Sequence, residues 1–257
     1  MDEILSIEEL NIQLELCGKD LNLFQNRFPH VFTNNNKVKC ITTNQIVQVP
    51  VIDIKGLGKF ILDENLDIIS QEELNDKYYF IEYDISGLQV NTFNYLPERV
   101  GNLYASSNWF TSLVGIPKVN HSITLYNNRL TDLIGLPKDI IKGNLKVGMN
   151  NLETLTGSPL VVKGSFVCDH NNLQTLEGGP AVVEGNYHAT NNPLKSLKGA
   201  PRVIKGIDKQ VRYGMFVTMG VTSRIMTHQL YDYLAFLSCP SESLMDERGC
   251  YNPNEED

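Results

Sequence analysis

Apolar and polar positions alternate, skip and alternate again at one spacing through residues 83–206, so that successive stretches read L-x-L-x-x-N-x-L-x-x-L. Leu103, Ala105, Asn108, Phe110 and Leu113 fill one copy, and Ile123, Leu125, Asn128, Leu130 and Leu133 fill the next. Three more follow at residues 145–155, 166–176 and 187–197, with Asn150, Asn171 and Asn192 in the polar slot. An opening copy, Tyr83, Ile85, Leu88, Val90 and Phe93, places Leu88 where the others carry asparagine. The prolines keep the same period. Pro97, Pro117, Pro137, Pro159, Pro180 and Pro201 are 20, 20, 22, 21 and 21 residues apart, and from Pro117 onward each follows a glycine by two positions.

Alternation over L-x-L puts successive side chains on opposite faces of a short strand, the leucine positions inward and the x positions outward. Each copy buries about four large apolar side chains at roughly 1.5–3 kcal/mol apiece, against about 1–2 kcal/mol of backbone entropy for every residue ordered. One copy cannot stand alone, and the expected solution is a stack in which the strands of consecutive copies pair in parallel. The asparagine at each bend is expected to satisfy buried backbone groups of its own loop and the next. Beyond each strand, G-x-P is followed by an apolar residue before a glycine: Ile140 and Gly143, Val162 and Gly164, Val183 and Gly185, Ile204 and Gly206. So short a return leaves no room for a helix. Proline favours extended or turn backbone, and these glycines are expected to supply a positive φ where the chain swings into the next strand.

The repeat template, with proline after its last leucine, resembles the short LPX-type leucine-rich repeats of secreted bacterial effectors. The stretch "GSPLVVKGSFVCDHNNLQTLEGGP" is similar to repeats of bacteriophage and bacterial proteins. The resemblance implies an α/β fold: a leucine-rich-repeat solenoid with a parallel concave β-sheet and a turn or polyproline-like convex side. For function it implies binding to another macromolecule. Some LPX effectors carry a ubiquitin-ligase domain after their repeats; only about 50 residues follow Gly206 here, and that activity is not expected.

Three parts are expected: an α+β N-terminal domain (1–80), the solenoid (81–206) and a C-terminal cap (207–257). In the first, "SIEE" at residues 6–9 is a capping box, and Ile7, Leu10, Leu14 and Cys17 follow at helical spacing until Gly18. A second helical run covers 21–28. Residues 37–43, 45–54 and 59–62 read as strands, and 70–73 as another capping box. After Gly206 the repeat fails at Asp208. Ile225, Met226, Leu230, Tyr233, Leu234 and Leu237 mark an amphipathic helix over 223–237 that would cap the last coil or dock a second subunit. The closing "YNPNEED" is expected to be a solvated acidic tail.

The formal charge is −8, but unevenly placed. Residues 98–205 hold 11 Lys/Arg against 7 Asp/Glu, a net of +4, which leaves −12 elsewhere. Most of these cations (Lys138, Lys142, Lys163, Lys195, Lys198, Arg202, Lys205) fall in the connecting segments, so a solvated back surface is expected rather than the concentrated basic footprint of a nucleic-acid binder. The acidic opening and the lack of an apolar run near 20 residues point away from a secretory signal and a membrane span, and toward the cytoplasm. Five scattered cysteines without a C-x-x-C pair suggest reduced thiols and no zinc site.

Outward strand positions carry Tyr104, Lys146 and His188 in a central row and Tyr126 and Asp169 in the next, with Met149 and His170 toward the edge and Trp109 and Arg129 beyond the asparagines. Tyr, Trp, Met and Arg are residue types that anchor protein interfaces, so these nine form the candidate partner-binding face. The alternative is that the aromatic residues merely shield their sheet neighbours. Asp169, His170 and His188 invite comparison with a metal or acid–base site, but no third ligand sits at diagnostic spacing, and Cys168 falls inward as a small apolar residue. No Walker A loop or serine elbow is present. The expected function is non-enzymatic and without cofactor: binding a host-encoded protein, such as a defence protein, in the host cytoplasm if the chain is phage-encoded. A virion or assembly component that oligomerises through its C-terminal helix is the alternative.

Overall fold

The computed structural model describes residues 4, 6–63, 65–94, 96–204, 233, 235–236 and 242–252. The chain divides into two compact units, Met1–Trp109 with Gly115–Asn120, and Phe110–Val114 with His121–Asp257.

In the first unit, α1 (Ile7–Leu16) begins where the Ser6 hydroxyl accepts the Glu9 N–H at 3.1 Å, and α2 (Leu21–Arg27) begins where Asp20 accepts from Asn22 and Leu23. Such caps satisfy donors that the first helical turn leaves unpaired. Leu10, Leu14, Phe24 and Phe28 pack on Val31, Ile52, Ile54, Phe60 and Leu62 of a meander made from β1 (Val31–Cys40), β2 (Ile46–Ile54) and β3 (Gly58–Ile61). β1 starts earlier than the expected 37–43. Nine cross-strand pairs with β2 carry it through Asn34, Asn35 and Asn36, whose intrinsic strand preference is poor. After α3 (Gln71–Lys77), capped by Ser70 at 3.2 Å, β4 (Tyr78–Asp84) pairs antiparallel with β1. On its other edge it pairs parallel with β5 (Arg99–Tyr104), which in turn pairs with β6 (Lys118–Val119). β4 is therefore where the sheet changes from meander to repeat.

The second unit is regular. β7 (Ile123–Thr124), β9 (Leu145–Lys146), β11 (Phe166–Val167) and β13 (Tyr187–His188) pair in parallel with Ile123, Leu145, Phe166 and Tyr187 in register. With the two parallel coils of the first unit counted, the chain forms a parallel β-solenoid of about six turns. The inward positions are sealed: Leu125, Leu130, Val147, Leu152, Phe166, Cys168 and Leu173 are all fully buried. The return side differs from the expected turn or polyproline path. It is a second parallel sheet of four two-residue strands, β8 (Ile140–Ile141), β10 (Val161–Val162), β12 (Val182–Val183) and β14 (Val203–Ile204). Pairs of β-branched residues favour extended backbone, and the even period brings each pair alongside the last, so the N–H and C=O groups of the return meet one another.

Side-chain ladders run along both ends of the first sheet. The Asn171 carboxamide donates to Cys168 O (3.0 Å) and Asp169 O (3.1 Å) of its own coil and to Val147 O (3.1 Å) of the coil before. Its Oδ1 accepts Leu152 N–H at 3.0 Å, also in the coil before. Asn108, Asn150 and Asn192 repeat this bonding to the coil before. The ladder thus reaches backward, not forward as the sequence suggested. The residue ahead of each ladder asparagine lies in the left-handed region (Ser107, Asn127, Met149, His170 and Asn191, φ 51–56°). A second ladder was not foreseen: Ser122 Oγ accepts Asn144 N–H (3.1 Å), Asn144 Oδ1 accepts Ser165 N–H (2.7 Å), and Ser165 Oγ accepts Asn186 N–H (3.1 Å). Beside it Gly143, Gly164 and Gly185 of the return have no positive φ, contrary to expectation, and Gly206 lies outside the described residues. They are needed for closeness, since a Cβ on Gly164 would fall 2.6 Å from the Gly143 carbonyl carbon.

At the far end Tyr251 pairs antiparallel with Ala200, its N–H donating to Ala200 O at 2.8 Å and its carbonyl accepting Gly199 N–H at 2.6 Å. The rings of Tyr233, Phe236 and Tyr251 pack against one another with centroids 5.2–6.3 Å apart, Tyr233 and Phe236 stacked and Tyr251 tilted to both, and the Tyr233 hydroxyl donates to Pro201 O at 2.6 Å. Tyr251 is therefore buried, not part of a solvated tail; its ring shields the last coil. The expected helix over 223–237 lies outside the described residues apart from Tyr233, Ala235 and Phe236, as does the tail beyond Asn252.

Asn171→Ala leaves the buried Leu152 N–H unpaired and takes one hydrogen bond each from Val147 O, Cys168 O and Asp169 O, and the expected loss is about 1–3 kcal/mol in urea unfolding. Gly164→Ala, which forces a methyl into backbone, is expected to cost at least about 1–3 kcal/mol by the same measurement. An unchanged midpoint for either variant would contradict the ladder geometry.

Candidate functional site

Parallel pairing sets the outward residues of the second unit in rows. Thr124, Lys146, Val167 and His188 share one row, and Tyr126, Gly148, Asp169 and Thr190 the next. Thr124, Tyr126, Lys146, Val167, Asp169, His188 and Thr190 line a shallow groove of about 480 Å³. Of the residues singled out from sequence, Tyr126, Lys146, Asp169 and His188 are thus brought to one place. Met149 and His170 are exposed in the left-handed residues just before the ladder, and Arg129 is exposed just after it. Tyr104 and Trp109 belong to the first unit. Tyr104 ends β5, where partial burial and then the charges of Glu82 and Asp84 push its phenol above its usual pKa; Trp109 is 45% exposed.

One wall of the groove is held by a hydrogen-bond chain across four coils. The Tyr126 hydroxyl donates to Asp169 Oδ2 at 2.7 Å, and His170 Nδ1 meets the same oxygen at 2.8 Å. His170 Nε2 lies 2.9 Å from Asn191 Nδ2. An amide nitrogen can only donate, so this contact assigns the lone pair to Nε2 and the proton to Nδ1. The chain closes over Gly148, the one residue between Tyr126 and Asp169 in the row. A Cβ there would meet the Tyr126 ring and lie 2.5 Å from Asp169 Oδ1, a buried oxygen with no hydrogen-bond partner. Glycine is what lets a tyrosine reach past an intervening strand. Burial, then the Asp169 hydrogen bond, then its charge push the Tyr126 phenol up to about 12.

Asp169 pairs with its neighbour His170 and with Tyr126 rather than with His188 across the strand, and among the described residues no group of three His, Cys, Asp or Glu side chains could hold a metal ion. The Cys168 thiol is fully buried, and burial drives its pKa well above the usual thiol value, so it is an apolar filler. Two reactive-looking features of the first unit escaped the sequence reading. Lys59 and Asp53, opposite one another on β3 and β2, form a buried charge pair at 3.8 Å; burial lowers the lysine pKa and raises the aspartate's. The Cys40 thiol is lowered to about 6 by hydrogen bonds from Thr42 and then Thr43. Neither has a sequence pattern that marks it, since both depend on which side chains the β1–β2 hairpin and the β2–β3 register bring together. No family model, curated protein or solved structure matches the chain.

The raised phenol gives a pH-dependent readout. Because its folded pKa exceeds the ordinary value of 10.0, the Tyr126 contribution to stability is whole below pH 10 and lost as pH rises toward about 12. Tyrosinate absorbance, taken as the difference from Tyr126→Phe, should show one phenol titrating near 12 and returning toward 10 in Asp169→Asn. A titration unaltered by Asp169→Asn would show that this bond does not form.

Proposed function

We propose that this chain is a non-enzymatic protein-binding solenoid of the leucine-rich-repeat class, and that the outward strand face of its second unit is the binding surface. The observation that carries the reading is the groove wall itself. Tyr126, Asp169, His170 and Asn191 are locked together by hydrogen bonds on a surface where no packing requirement of the core calls for them. A pre-organised surface loses less side-chain entropy on binding, which is the usual way a shallow site gains affinity. The L-x-L-x-x-N-x-L-x-x-L template and the asparagine ladder support the leucine-rich-repeat class. The resemblance to phage and bacterial repeat proteins supports a host-encoded partner met in the cytoplasm, one that is inhibited by direct binding.

The test is recovery of a partner from bacterial lysate by the tagged chain and by the double variant Tyr126→Ala, His188→Ala. A protein that is captured by the first and lost by the second is the expected result; equal capture by both would remove this face from consideration. Light scattering on the purified chain addresses the assembly alternative. A small, fixed mass is expected, and a large defined oligomer would favour a structural role.

A further inference from the structure

The strand face of the second unit has a charge bias opposite to that of the chain. The whole sequence holds 30 acidic against 22 basic residues. At the outward strand positions of the four coils, and at the positions either side of each ladder asparagine, the acidic and basic residues are Arg129, Lys146, Asp169, His170 and His188. Asp169 is the sole carboxylate among them, and it is already engaged: Oδ2 takes Tyr126 and His170, and Oδ1 is shielded over Gly148. Lys146, in contrast, is exposed and makes no ion pair or hydrogen bond among the described residues. Pairing places it in one row with Val167 and His188, the two polar groups lying on strands two apart, roughly 10 Å at about 4.8 Å per strand.

We infer that this face seats an acidic segment of the partner protein, with carboxylates meeting Lys146 and His188 on either side of Val167. This rests on the protein-binding reading above. An ion pair formed beside an apolar floor and a fixed tyrosine wall is partly shielded from water, and so is stronger than one on an open surface. Hydrogen bonds from Tyr126 and His170 to Asp169 Oδ2 disperse, without cancelling, the charge of the one carboxylate on this face. A nucleic acid fits poorly. Duplex binders with strong salt dependence neutralise on the order of six to ten phosphates, and this face offers two permanent cations.

Fluorescence anisotropy with the full chain separates these occupants. The probes are a fluorescein-labelled peptide of four Glu-Ala repeats, its Lys-Ala counterpart and an oligothymidine of eight nucleotides. The Glu-Ala peptide should bind, weaken about tenfold with Lys146→Glu, stay within about twofold with Lys146→Arg, and weaken as salt is added, as expected of a charge contact at an interface. Circular dichroism of the variants, unchanged from the parent, establishes that they fold. Equal affinity of the parent and Lys146→Glu for the Glu-Ala peptide would overturn the inference, as would tighter binding of the Lys-Ala peptide or the oligothymidine. If the Glu-Ala peptide fails while partner capture still depends on Tyr126 and His188, the acidic character is wrong and the protein-binding reading stands; if capture is also independent of those residues, both fall.

Discussion

The buried bend is the constraint on which the rest depends. A coil of twenty-odd residues must turn sharply at each end of a two-residue strand, and each turn leaves backbone N–H and C=O groups facing a core packed with apolar side chains. Leaving one such group unpaired costs about 1–3 kcal/mol, comparable with what an apolar side chain gains by burial. The asparagines resolve this by reaching into the coil before, and at the other end of the strand the side chains of Ser122, Asn144 and Ser165 reach the opposite way, each accepting an N–H of the coil after. Because each coil supplies the partner for its neighbour, stability belongs to the stack and not to the copy, which is why the opening copy can carry Leu88 in the slot only where Asn108 of the following coil covers it through Val90 N–H and Ile85 O.

Tight stacking has consequences at the surface. Side chains in one row stand only about 4.8 Å from their neighbours, so a residue without a side chain opens a path between the residues on either side of it. Gly148 is such a residue: without its side chain, Tyr126 and Asp169 meet across β9 and form a rigid wall. The left-handed residues before the ladder have a similar double effect. Met149 and His170 occupy a backbone region that favours Gly or Asn, and the same geometry that curls the bend projects them, exposed, at the rim of the groove.

The two ends of the chain handle the exposed stack differently. In the first unit a meander packed by α1 and α2 donates β4, whose one edge is antiparallel to β1 and whose other edge is parallel to β5. In the second unit the rings of Tyr233, Phe236 and Tyr251 lie against one another, and Tyr251 pairs with Ala200 of the last described coil. Both solutions cover open strand edges and apolar coil surface, the features that make an uncapped solenoid prone to association.

The repeat was legible because its cause is local: period, strand alternation and the asparagine slot follow from which residues stand two, three and five positions apart, and burial bore them out at Leu125, Asn128 and Leu133 alike. So were the α1 and α3 caps, since Ser6 and Ser70 need only the residues three positions on. What the sequence left undecided depends on neighbours a full coil or more away. The backward reach of the ladder, the second sheet on the return side, the extension of β1 through three asparagines and the burial of Tyr251 all arise from partners far off in the chain or from a register that composition does not reveal. The candidate face divides the same way. Alternation placed Tyr126, Lys146, Asp169 and His188 outward, but only stacking decided that Tyr126 would bond a residue 43 positions on, because the distance between coils is set by the glycines and ladders that hold them together.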